Sequence, residues 1–422
     1  MRQEVAIIGG GAKAAAIAAK AAALRAARRA DIHVTIFERH AIGAHWDGGH
    51  GYTDGTQPLC TPAERDLGFP YDCDSYGDSV AEHMQSEYSW MAHLVRGGST
   101  RYARWIDGGT RRPSHGDFAA YLRDAIARSG ADIRIGAVTA LRRTGSWAVH
   151  YTEASNGAAV QVKGFDGVVV TSPGPQKGVG TLVDHRYFDG ATFWQHLADV
   201  RAIAEGGGRI VILGSGGTAA AIAAWFVTAG FRNAEIRMVA GQPTFFTRVS
   251  NLFENRIFSD DALWQMMGTQ QRLEFNDRLT RGAVWDAVTA TLERAENLAF
   301  HVGQARDVRL GDDPGDGTEP ELVVEIAGSG TDLPAAMVIN AIGFDAWWFT
   351  QLLTSRQKSV IDGARAALVA GMGYDLSLPV AGLSGLHAPL LSGNVGPGFT
   401  SLMVLGAMAD RILKPYCDRS AT

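Results

Sequence analysis

The sequence predicts an α/β protein with two strand–turn–helix–strand units, each of the kind that builds a doubly wound parallel sheet. Three observations support this fold class. Apolar runs at residues 4–8 and 209–213 are each followed at once by a glycine-rich turn. Each turn leads into an alanine-rich stretch, the composition that most favours a helix, and then into another apolar run. The chain has 422 residues, enough for two or three domains.

The composition excludes several other classes of protein. Glycine is abundant at 51 residues, but proline numbers only 14 and no three-residue glycine period occurs, so a collagen-like fibre is excluded. The net charge of -5 indicates no nucleic-acid partner. The cysteines are Cys60, Cys73 and Cys417, and no Cys-x-x-Cys pair is present. A disulfide scaffold and a dithiol reductase are therefore excluded.

Localisation and metal binding are predicted from similar arguments. The alanine-rich stretch near the N-terminus could pass for a signal peptide, but Lys13 and Lys20 interrupt its apolar character. No apolar run approaches the ~20 residues that span a bilayer. His45 and His50 flank a glycine pair without a cluster of further ligands. We therefore expect a cytoplasmic protein with no membrane partner and no metal site.

The first unit has the features of a dinucleotide site. Its turn reads Gly9-x-Gly11-x-x-Ala14, which permits a tight turn and brings the backbone close to a pyrophosphate at a helix N-terminus. Glu38 stands at the end of the next apolar run, where a carboxylate accepts hydrogen bonds from ribose hydroxyls. The alternative is a tight turn whose glycine serves close packing alone.

The second unit repeats the pattern with one difference. Its turn reads Gly214-Ser215-Gly216-x-x-Ala, but the following apolar run ends at Val239 without an acidic residue. A carboxylate there would repel a 2′-phosphate, so its absence favours NADPH over NADH. Arg248 is close enough in sequence to pair with that phosphate bidentately, and the alternative is an ordinary surface arginine.

The remaining elements are predicted in chain order from apolar periodicity and turn residues. Residues 40–115 are expected to form long functional loops with short helices, and residues 241–262 to be irregular. Helices are expected at 116–129, 218–229, 261–296 and 400–413. Strands are expected at 133–138, 147–151, 160–162, 168–171, 236–239 and 337–341, with a hairpin formed by 302–310 and 322–326.

The order of the two units predicts the domain organisation. The second unit lies inside the chain of the first, the arrangement of a flavoprotein with two dinucleotide-binding (Rossmann-like) domains and an NADPH domain inserted in the FAD domain. We expect residues 1–175 and 330–422 to form the FAD-binding domain and residues 190–330 the NADPH-binding domain. Residues 245–296 are expected to contribute to the substrate site.

Motifs in the loops narrow the class further. In chain order, they resemble the flavin-dependent N-hydroxylating monooxygenases over nearly the whole chain, and within that family the mycobactin-type lysine N6-monooxygenases. The matching pieces are Gly43–Trp46, Gly51–Gly55, Glu64–Tyr71, Tyr88–Trp90, Trp105–Asp107, Phe246–Arg248, Phe253–Asn255, Phe258–Asp260, Trp347–Thr350 and Gly396–Phe399.

The resemblance implies an activity. FAD reduced by NADPH would react with molecular oxygen to a C4a-hydroperoxyflavin, which would N-hydroxylate a neutral primary amine, most simply the side-chain amine of lysine or a lysine derivative. Such a product would serve siderophore or related natural-product synthesis. The alternatives are another amine (ornithine, aspartate or a diamine), an NADPH-dependent flavin reductase without oxygenation, or a flavoprotein that only binds NADPH. Family members also suggest a homo-oligomer.

The resemblance also implies roles for individual residues. Arg65 stands where relatives have a lysine that holds the substrate carboxylate, and Asn255 where they have an asparagine that contacts substrate. The alternative for Asn255 is a bond to its local backbone. Trp46 matches an aromatic residue beside the flavin, or it is a core tryptophan. The residues expected near the flavin at the start of the C-terminal helix are Asn394, Pro397, Gly398 and Phe399.

Overall fold

The protein is described by a computed structural model that covers residues 2–280, 283–327 and 332–417. The predicted α/β class is confirmed, with two separate sheets that are parallel at their centres. In chain order the strands are β1 (Gln3–Ile8), β2 (Ile32–Glu38), β3 (Asp132–Thr144), β4 (Ser146–Glu153), β5 (Ala159–Phe165), β6 (Gly167–Val170), β7 (Tyr187–Asp189), β8 (Gly208–Leu213), β9 (Ala234–Ala240), β10 (Phe246–Arg248), β11 (Ala283–Trp285), β12 (Leu298–Val302), β13 (Gln304–Leu310), β14 (Leu322–Ala327), β15 (Leu333–Ala335), β16 (Met337–Asn340) and β17 (Leu386–His387).

Helices connect and cover these strands. They are α1 (Ala12–Ala26), α2 (Asp78–Tyr88), α3 (Trp90–Arg96), α4 (Ser99–Asp107), α5 (His115–Ser129), α6 (Thr192–Gln195), α7 (Leu197–Glu205), α8 (Gly217–Ala229), α9 (Leu252–Ser259), α10 (Asp261–Met266), α11 (Thr269–Thr280), α12 (Asp286–Leu292), α13 (Ser355–Asp362), α14 (Arg365–Ala370) and α15 (Leu405–Cys417). Two 3₁₀ helices span Trp348–Leu352 and Pro389–Asn394.

The larger sheet is built from both ends of the chain. Its strand order is β17-β6-β1-β2-β3-β4-β5, parallel from β17 to β3 and antiparallel from β3 to β5. Helix α1 packs between the sheet and α15, and its alanines are almost all buried. Small side chains allow this close packing on three sides, which explains why the predicted helix is so rich in alanine.

The smaller sheet contains five parallel strands in the order β12-β9-β8-β16-β7. An antiparallel three-stranded sheet, β13-β14-β15, includes the predicted hairpin. Strand β16 follows residue 330 in sequence but pairs with β8 and β7, so the smaller sheet extends to Asn340. Its core is separate from that of the larger sheet and is centred on β8 and α8.

Three stretches differ from the sequence prediction. The segment expected to be irregular contains α9, whose N-terminus is capped by the Asn251 side chain accepting from the Glu254 N–H. The stretch expected to be helical from 261 to 296 is broken by β11, which pairs with β10. The last helix begins at Leu405, not near Thr400, because the Thr400 and Ser401 hydroxyls donate back to the carbonyls of Pro397 and Gly398 and form turns instead.

Candidate cofactor and substrate sites

The first glycine turn joins β1 to α1. Gly9 has φ +105°, a conformation that favours glycine, and a Cβ there would lie 2.8 Å from Thr171 Oγ1. Its N–H donates to the Phe37 carbonyl at 2.8 Å, which ties the turn to β2. Ala14 is fully buried, so only a small side chain fits at the position where the helix meets the sheet.

The second glycine turn joins β8 to α8 in the same way. Gly214 has φ +109°, and a Cβ there would lie 2.6 Å from the Ala341 carbonyl oxygen. Its N–H donates to the Val239 carbonyl at 2.8 Å, so the turn is tied to the next strand, β9, as the first turn is tied to β2. The Ser215 hydroxyl accepts from the Gln242 side chain at 3.3 Å.

Both turns leave room where a phosphate would approach. Gly11 caps α1 and Gly216 caps α8, neither helix start has a side-chain cap, and a Cβ added at either glycine would meet no atom within 4 Å. The first N–H groups of a helix have no partner within it and favour an anion. These two helix starts therefore fit the pyrophosphates of two dinucleotides, and FAD and NADPH match the residues present.

Glu38 lies where the sequence predicts, at the end of β2 beside the first turn. It is 5% exposed, and its carboxylate accepts from the N–H of Gly10 at 2.6 Å and from that of His40 at 3.0 Å. A carboxylate has about four acceptor positions, so two remain for hydroxyls. Glu38 therefore shapes the glycine turn as well as facing it.

Trp46 is half-buried in a loop that is attached to the first glycine turn. The Gly43 N–H donates to the Gly10 carbonyl at 3.0 Å, and the Trp46 N–H donates to the Gly43 carbonyl at 2.9 Å. The indole packs edge-on against the rings of His115 and Phe118. Trp46 thus lies near the first glycine turn and also packs against the core, so its position agrees with both alternatives for this residue.

The loop before α15 reaches the first turn through Lys13, a residue the sequence prediction did not assign. The Lys13 ammonium donates to the carbonyls of Phe399 at 2.6 Å and Ser401 at 2.9 Å. Burial lowers the pKa of Lys13 to about 7. The signal that could have identified it is its position, two residues after Gly11 in a helix start otherwise made of alanine.

The inserted segment also contacts this C-terminal loop. The Trp264 indole N–H donates to the Asn394 carbonyl at 3.2 Å, and the Asn276 side chain donates to the Gly393 carbonyl at 3.0 Å. A Cβ added at Gly398 would lie 2.6 Å from the Phe258 carbonyl oxygen. A small hydrophobic cluster seals the contact, formed by Phe258, Trp264, Phe275 and Met403. We call this contact the seam.

Arg65 lies at the seam. Its guanidinium donates to the Met403 carbonyl at 2.9 Å and stacks on the Phe69 ring at 4.6 Å. The neighbouring Asp66 is buried and accepts from the Tyr71 hydroxyl and the Trp90 N–H. Burial raises the pKa of Asp66 to about 6, and these hydrogen bonds oppose the rise. Asp66 therefore anchors the loop that presents Arg65.

Asn255 lies on α9, seven residues after Arg248 of β10. Its amide donates to the Ser250 hydroxyl at 2.8 Å, while its Oδ1 is buried and has no hydrogen-bond partner among the described residues. A buried acceptor without a partner costs free energy, and a bound ligand with a donor relieves that cost. Asn255 is therefore more than an asparagine bonded to its own backbone.

Arg248 is not an ordinary surface arginine. Its side chain is 12% exposed, and the guanidinium lies over the rings of Phe258 at 4.2 Å and Trp285 at 5.0 Å. Its Nε is 3.3 Å from a carboxylate oxygen of Glu254. Its ion pair and its two ring contacts are all with residues of the inserted segment, and its role at a 2′-phosphate stays a prediction.

Two absences concern the described residues, 2–280, 283–327 and 332–417. No helix in these ranges is both long and apolar enough to cross a bilayer. Within the same ranges, no group of three or more His, Cys, Asp and Glu side chains is placed to hold a metal ion.

Comparison with known proteins identifies the family. No protein-family model matches the chain. L-lysine N6-monooxygenase MbtG of Mycobacterium sp. strain MCS is 32% identical over 433 aligned positions, which cover 98% of this chain and 95% of the relative. Lysine monooxygenase NbtG from Nocardia farcinica superposes with a TM-score of 0.78 at 27% identity, covering 97% of this chain and 98% of that one.

A third comparison concerns the fold alone. The ornithine N-hydroxylase KtzI of Kutzneria sp. 744, solved with reduced FAD, NADP+ and L-ornithine, superposes over both whole chains with a TM-score of 0.73 at 17% identity. That protein holds a flavin and a nicotinamide dinucleotide together in one chain of this fold. The similarity to MbtG over nearly the whole length of both chains shows that the chain belongs to the L-lysine N6-monooxygenases, a family of flavin-dependent N-hydroxylating monooxygenases.

Proposed function

We propose that the protein N-hydroxylates the side-chain amine of lysine or a lysine derivative, using FAD, NADPH and molecular oxygen, and so supplies a hydroxylamine for siderophore synthesis. The observation that carries the proposal is the similarity to lysine N6-monooxygenases over nearly the whole length of both chains. The two glycine turns with open helix starts agree with it, because the reaction needs two dinucleotides in one molecule.

The residues proposed to hold FAD belong to the larger sheet and the C-terminal loop. Gly9, Gly11 and Ala14 would let the pyrophosphate approach the start of α1, and Glu38 would accept from the ribose. The flavin end would be flanked by Trp46 and by the loop that Lys13 holds, which contains Asn394, Pro397, Gly398 and Phe399. The domain proposed for FAD spans residues 1–175 and 330–422, apart from β15 and β16.

The residues proposed to hold NADPH belong to the smaller sheet. Gly214, Ser215 and Gly216 would cradle its pyrophosphate at the start of α8. The strand that follows, β9, ends at Ala240 without a carboxylate, which leaves a 2′-phosphate without a repelling neighbour. NADPH is therefore proposed as the reductant in preference to NADH.

The protein's own contribution is to bind, orient and desolvate the amine. When bound, the reduced flavin supplies the activated oxygen, and the protein supplies position and dryness. A lysine amine has a pKa near 10.4 in water, so the site must favour its neutral form by desolvation. At the other end of the substrate, Arg65 would bind the carboxylate and Asn255 Oδ1 would accept from the α-ammonium group.

The test starts with the purified protein and its flavin spectrum. NADPH oxidation and hydroxylamine formation are measured with L-lysine, L-ornithine, L-aspartate and cadaverine. The expected result is hydroxylamine with L-lysine and a KM for NADPH well below that for NADH. NADPH oxidation that yields only hydrogen peroxide with every amine would overturn the proposal and favour a reductase. Hydroxylamine with ornithine and none with lysine would leave the reaction class intact and overturn the substrate.

A further inference from the structure

The seam carries a concentration of positive charge that the nearby carboxylates do not balance. Arg248 and Arg112 lie over the same indole, that of Trp285, at 5.0 and 5.1 Å. Arg65 is on the FAD side of the seam, bonded to Met403, whose side chain packs in one cluster with Phe258. Arg248 lies over that same Phe258 ring, so both arginines border the cluster that contains Phe258 and Met403.

Glu254 is the carboxylate that pairs with Arg248, and it is shared with another arginine, Arg278. Glu254 is 3.3 Å from Arg248 Nε and 3.0 Å from Arg278 Nη2. Among the described residues, no carboxylate lies within 4.0 Å of Arg65 or Arg112. Like charges in a partly buried site need a counter-ion, and Glu254 is the one carboxylate within 4.0 Å of Arg248 and Arg278 among the described residues.

Some buried polar atoms of Arg248 and Asn255 also have no hydrogen-bond partner among the described residues. Arg248 Nη2 is buried and has no hydrogen-bond partner among the described residues, and neither has Asn255 Oδ1, whereas Arg248 Nε lies 3.3 Å from a carboxylate oxygen of Glu254. The Nη2 donor of Arg248 and the Oδ1 acceptor of Asn255, both buried in one short segment, complement a ligand that carries both an anionic group and a hydrogen-bond donor. An α-amino acid head group has this chemistry, because its carboxylate accepts and its ammonium donates.

We propose that Arg248 acts with Arg65 as a two-guanidinium site for the α-carboxylate of the substrate, with Asn255 Oδ1 accepting from the α-ammonium group. The inference rests on the proposed function for the identity of the amine, and it deepens that function. It makes a free amino acid the substrate, since a diamine lacks the carboxylate and a carrier-bound or esterified lysine has lost its charge. It also assigns Arg248 to the substrate carboxylate, whereas the sequence analysis assigns it to the 2′-phosphate of NADPH.

Electrostatics at the seam agree with this assignment. Burial lowers the pKa of Arg65, and the next cause of the lowering is the charge of Arg248. Burial likewise lowers the pKa of Arg248, opposed first by Glu254. A bound carboxylate would offset the repulsion between the two arginines, because its negative charge attracts both guanidiniums.

The experiment compares Arg248→Met and Arg248→Lys with Arg256→Met, a matched control on the exposed face of α9. Binding of L-lysine and of L-lysine methyl ester to the oxidised, FAD-loaded enzyme is measured by calorimetry. The KM for NADPH is measured by flavin reduction without amine. Arg248→Met is expected to weaken L-lysine binding by about 30-fold, the cost of removing one partner of a desolvated charge pair. Arg248→Lys should weaken it less, and Arg256→Met should leave it within twofold.

The ester and NADPH readouts separate the proposal from its rivals. The proposal requires the ester to bind the wild-type enzyme weakly and to be insensitive to Arg248→Met, with the KM for NADPH unchanged within twofold. A rise in the KM for NADPH with L-lysine binding unchanged would overturn it in favour of the 2′-phosphate. Equal weakening of L-lysine and methyl ester binding in Arg248→Met would overturn it in favour of a structural role. Wild-type enzyme that does not bind L-lysine would overturn the proposed carboxylate site altogether. Lysine that binds as expected without being hydroxylated would overturn the proposed function and leave the Arg248 site standing.

Discussion

The side-chain nitrogen of Lys13 lies 2.6 Å from the carbonyl oxygen of Phe399, across 386 positions of sequence. The bond joins the first turn of α1, next to the first glycine turn, to the loop before α15. The same nitrogen also donates to the Ser401 carbonyl. One lysine therefore joins two segments of one proposed FAD site: the turn proposed to hold the pyrophosphate and the loop proposed to flank the flavin.

Lys13→Met should loosen that coupling. The substitution keeps an unbranched side chain of similar length but leaves two carbonyls without a donor, at a cost of about 1–3 kcal/mol. We expect a lower free energy of unfolding in urea and a faster loss of FAD on dilution. Lys163→Met, at an exposed position of β5, is the control and should change neither. Equal FAD loss in both variants would contradict the role of Lys13.

Gly11→Ala should separate cofactor binding from folding. A Cβ at Gly11 meets no protein atom within 4 Å, so the chain should fold normally while the methyl group occupies the space proposed for the pyrophosphate. We expect unchanged circular dichroism and little bound FAD. Gly9→Ala is the comparison, because its φ of +105° and its contact with Thr171 should impair folding itself. Full FAD content in Gly11→Ala would remove this turn from the site.

Gly216→Ala should affect the other dinucleotide. A Cβ there also meets no protein atom within 4 Å, and Gly216 starts α8 in the smaller sheet. We expect FAD content to stay at the wild-type level while the KM for NADPH rises about tenfold or more, since backbone contact with the pyrophosphate is lost. The measurement is NADPH-dependent flavin reduction. A variant that loses FAD but keeps its KM for NADPH would reverse the assignment of the two turns.

Arg65→Ala should raise the KM for the amine substrate. The substitution removes a charge-assisted contact with the carboxylate, for which about tenfold is a modest expectation. Arg65→Lys should recover part of the loss, because it restores the charge without the planar stack on Phe69. Steady-state hydroxylamine formation across substrate concentrations gives both constants. An unchanged KM in Arg65→Ala would show that this residue lies outside the site.

His115 should make the protein less stable in acid. Burial lowers the pKa of His115 from 6.5 to about 4, and the ring bonds to the Thr53 hydroxyl at 2.9 Å. The unfolded chain therefore binds the proton first as the pH falls from about 6.5 to 4, and up to about 3 kcal/mol of stability is lost across that window. His115→Gln should lose less between pH 7.5 and 4.5 in urea unfolding. The exposed-site control His33→Gln should behave as wild type, and equal losses in all three would contradict the prediction.

The sequence predicted the parts of the fold that depend on local patterns. The two glycine turns, the helices that follow them and the strands that flank them lie where apolar periodicity places them, because each unit carries its signal within about 35 residues. The start of the last helix was wrong by five residues. Turns made by Thr400 and Ser401 compete with the helix there, and helix propensity does not report that competition.

The candidate site was predicted unevenly for a related reason. Loop motifs single out Arg65 and Asn255, and the structure places Arg65 at the seam and Asn255 on α9, the helix that carries Phe258 of the seam. Lys13 was overlooked because its partners, the Phe399 and Ser401 carbonyls, are far away in sequence. The assignment of Arg248 to a 2′-phosphate rests on sequence distance alone and stays a prediction, while the structure puts Arg248 on β10 and over the Phe258 ring of the seam.

The α/β class, the two glycine turns and the family are therefore readable from the sequence, since strand–turn–helix units and ordered motifs consist of consecutive residues. The sequence does not tell which distant groups come together, and the folded chain does. Arg65 comes from the first quarter of the chain, Arg248 from the inserted segment and Met403 from the C-terminal loop. Their meeting depends on packing between elements, and packing is a property of surfaces that no local stretch of sequence contains.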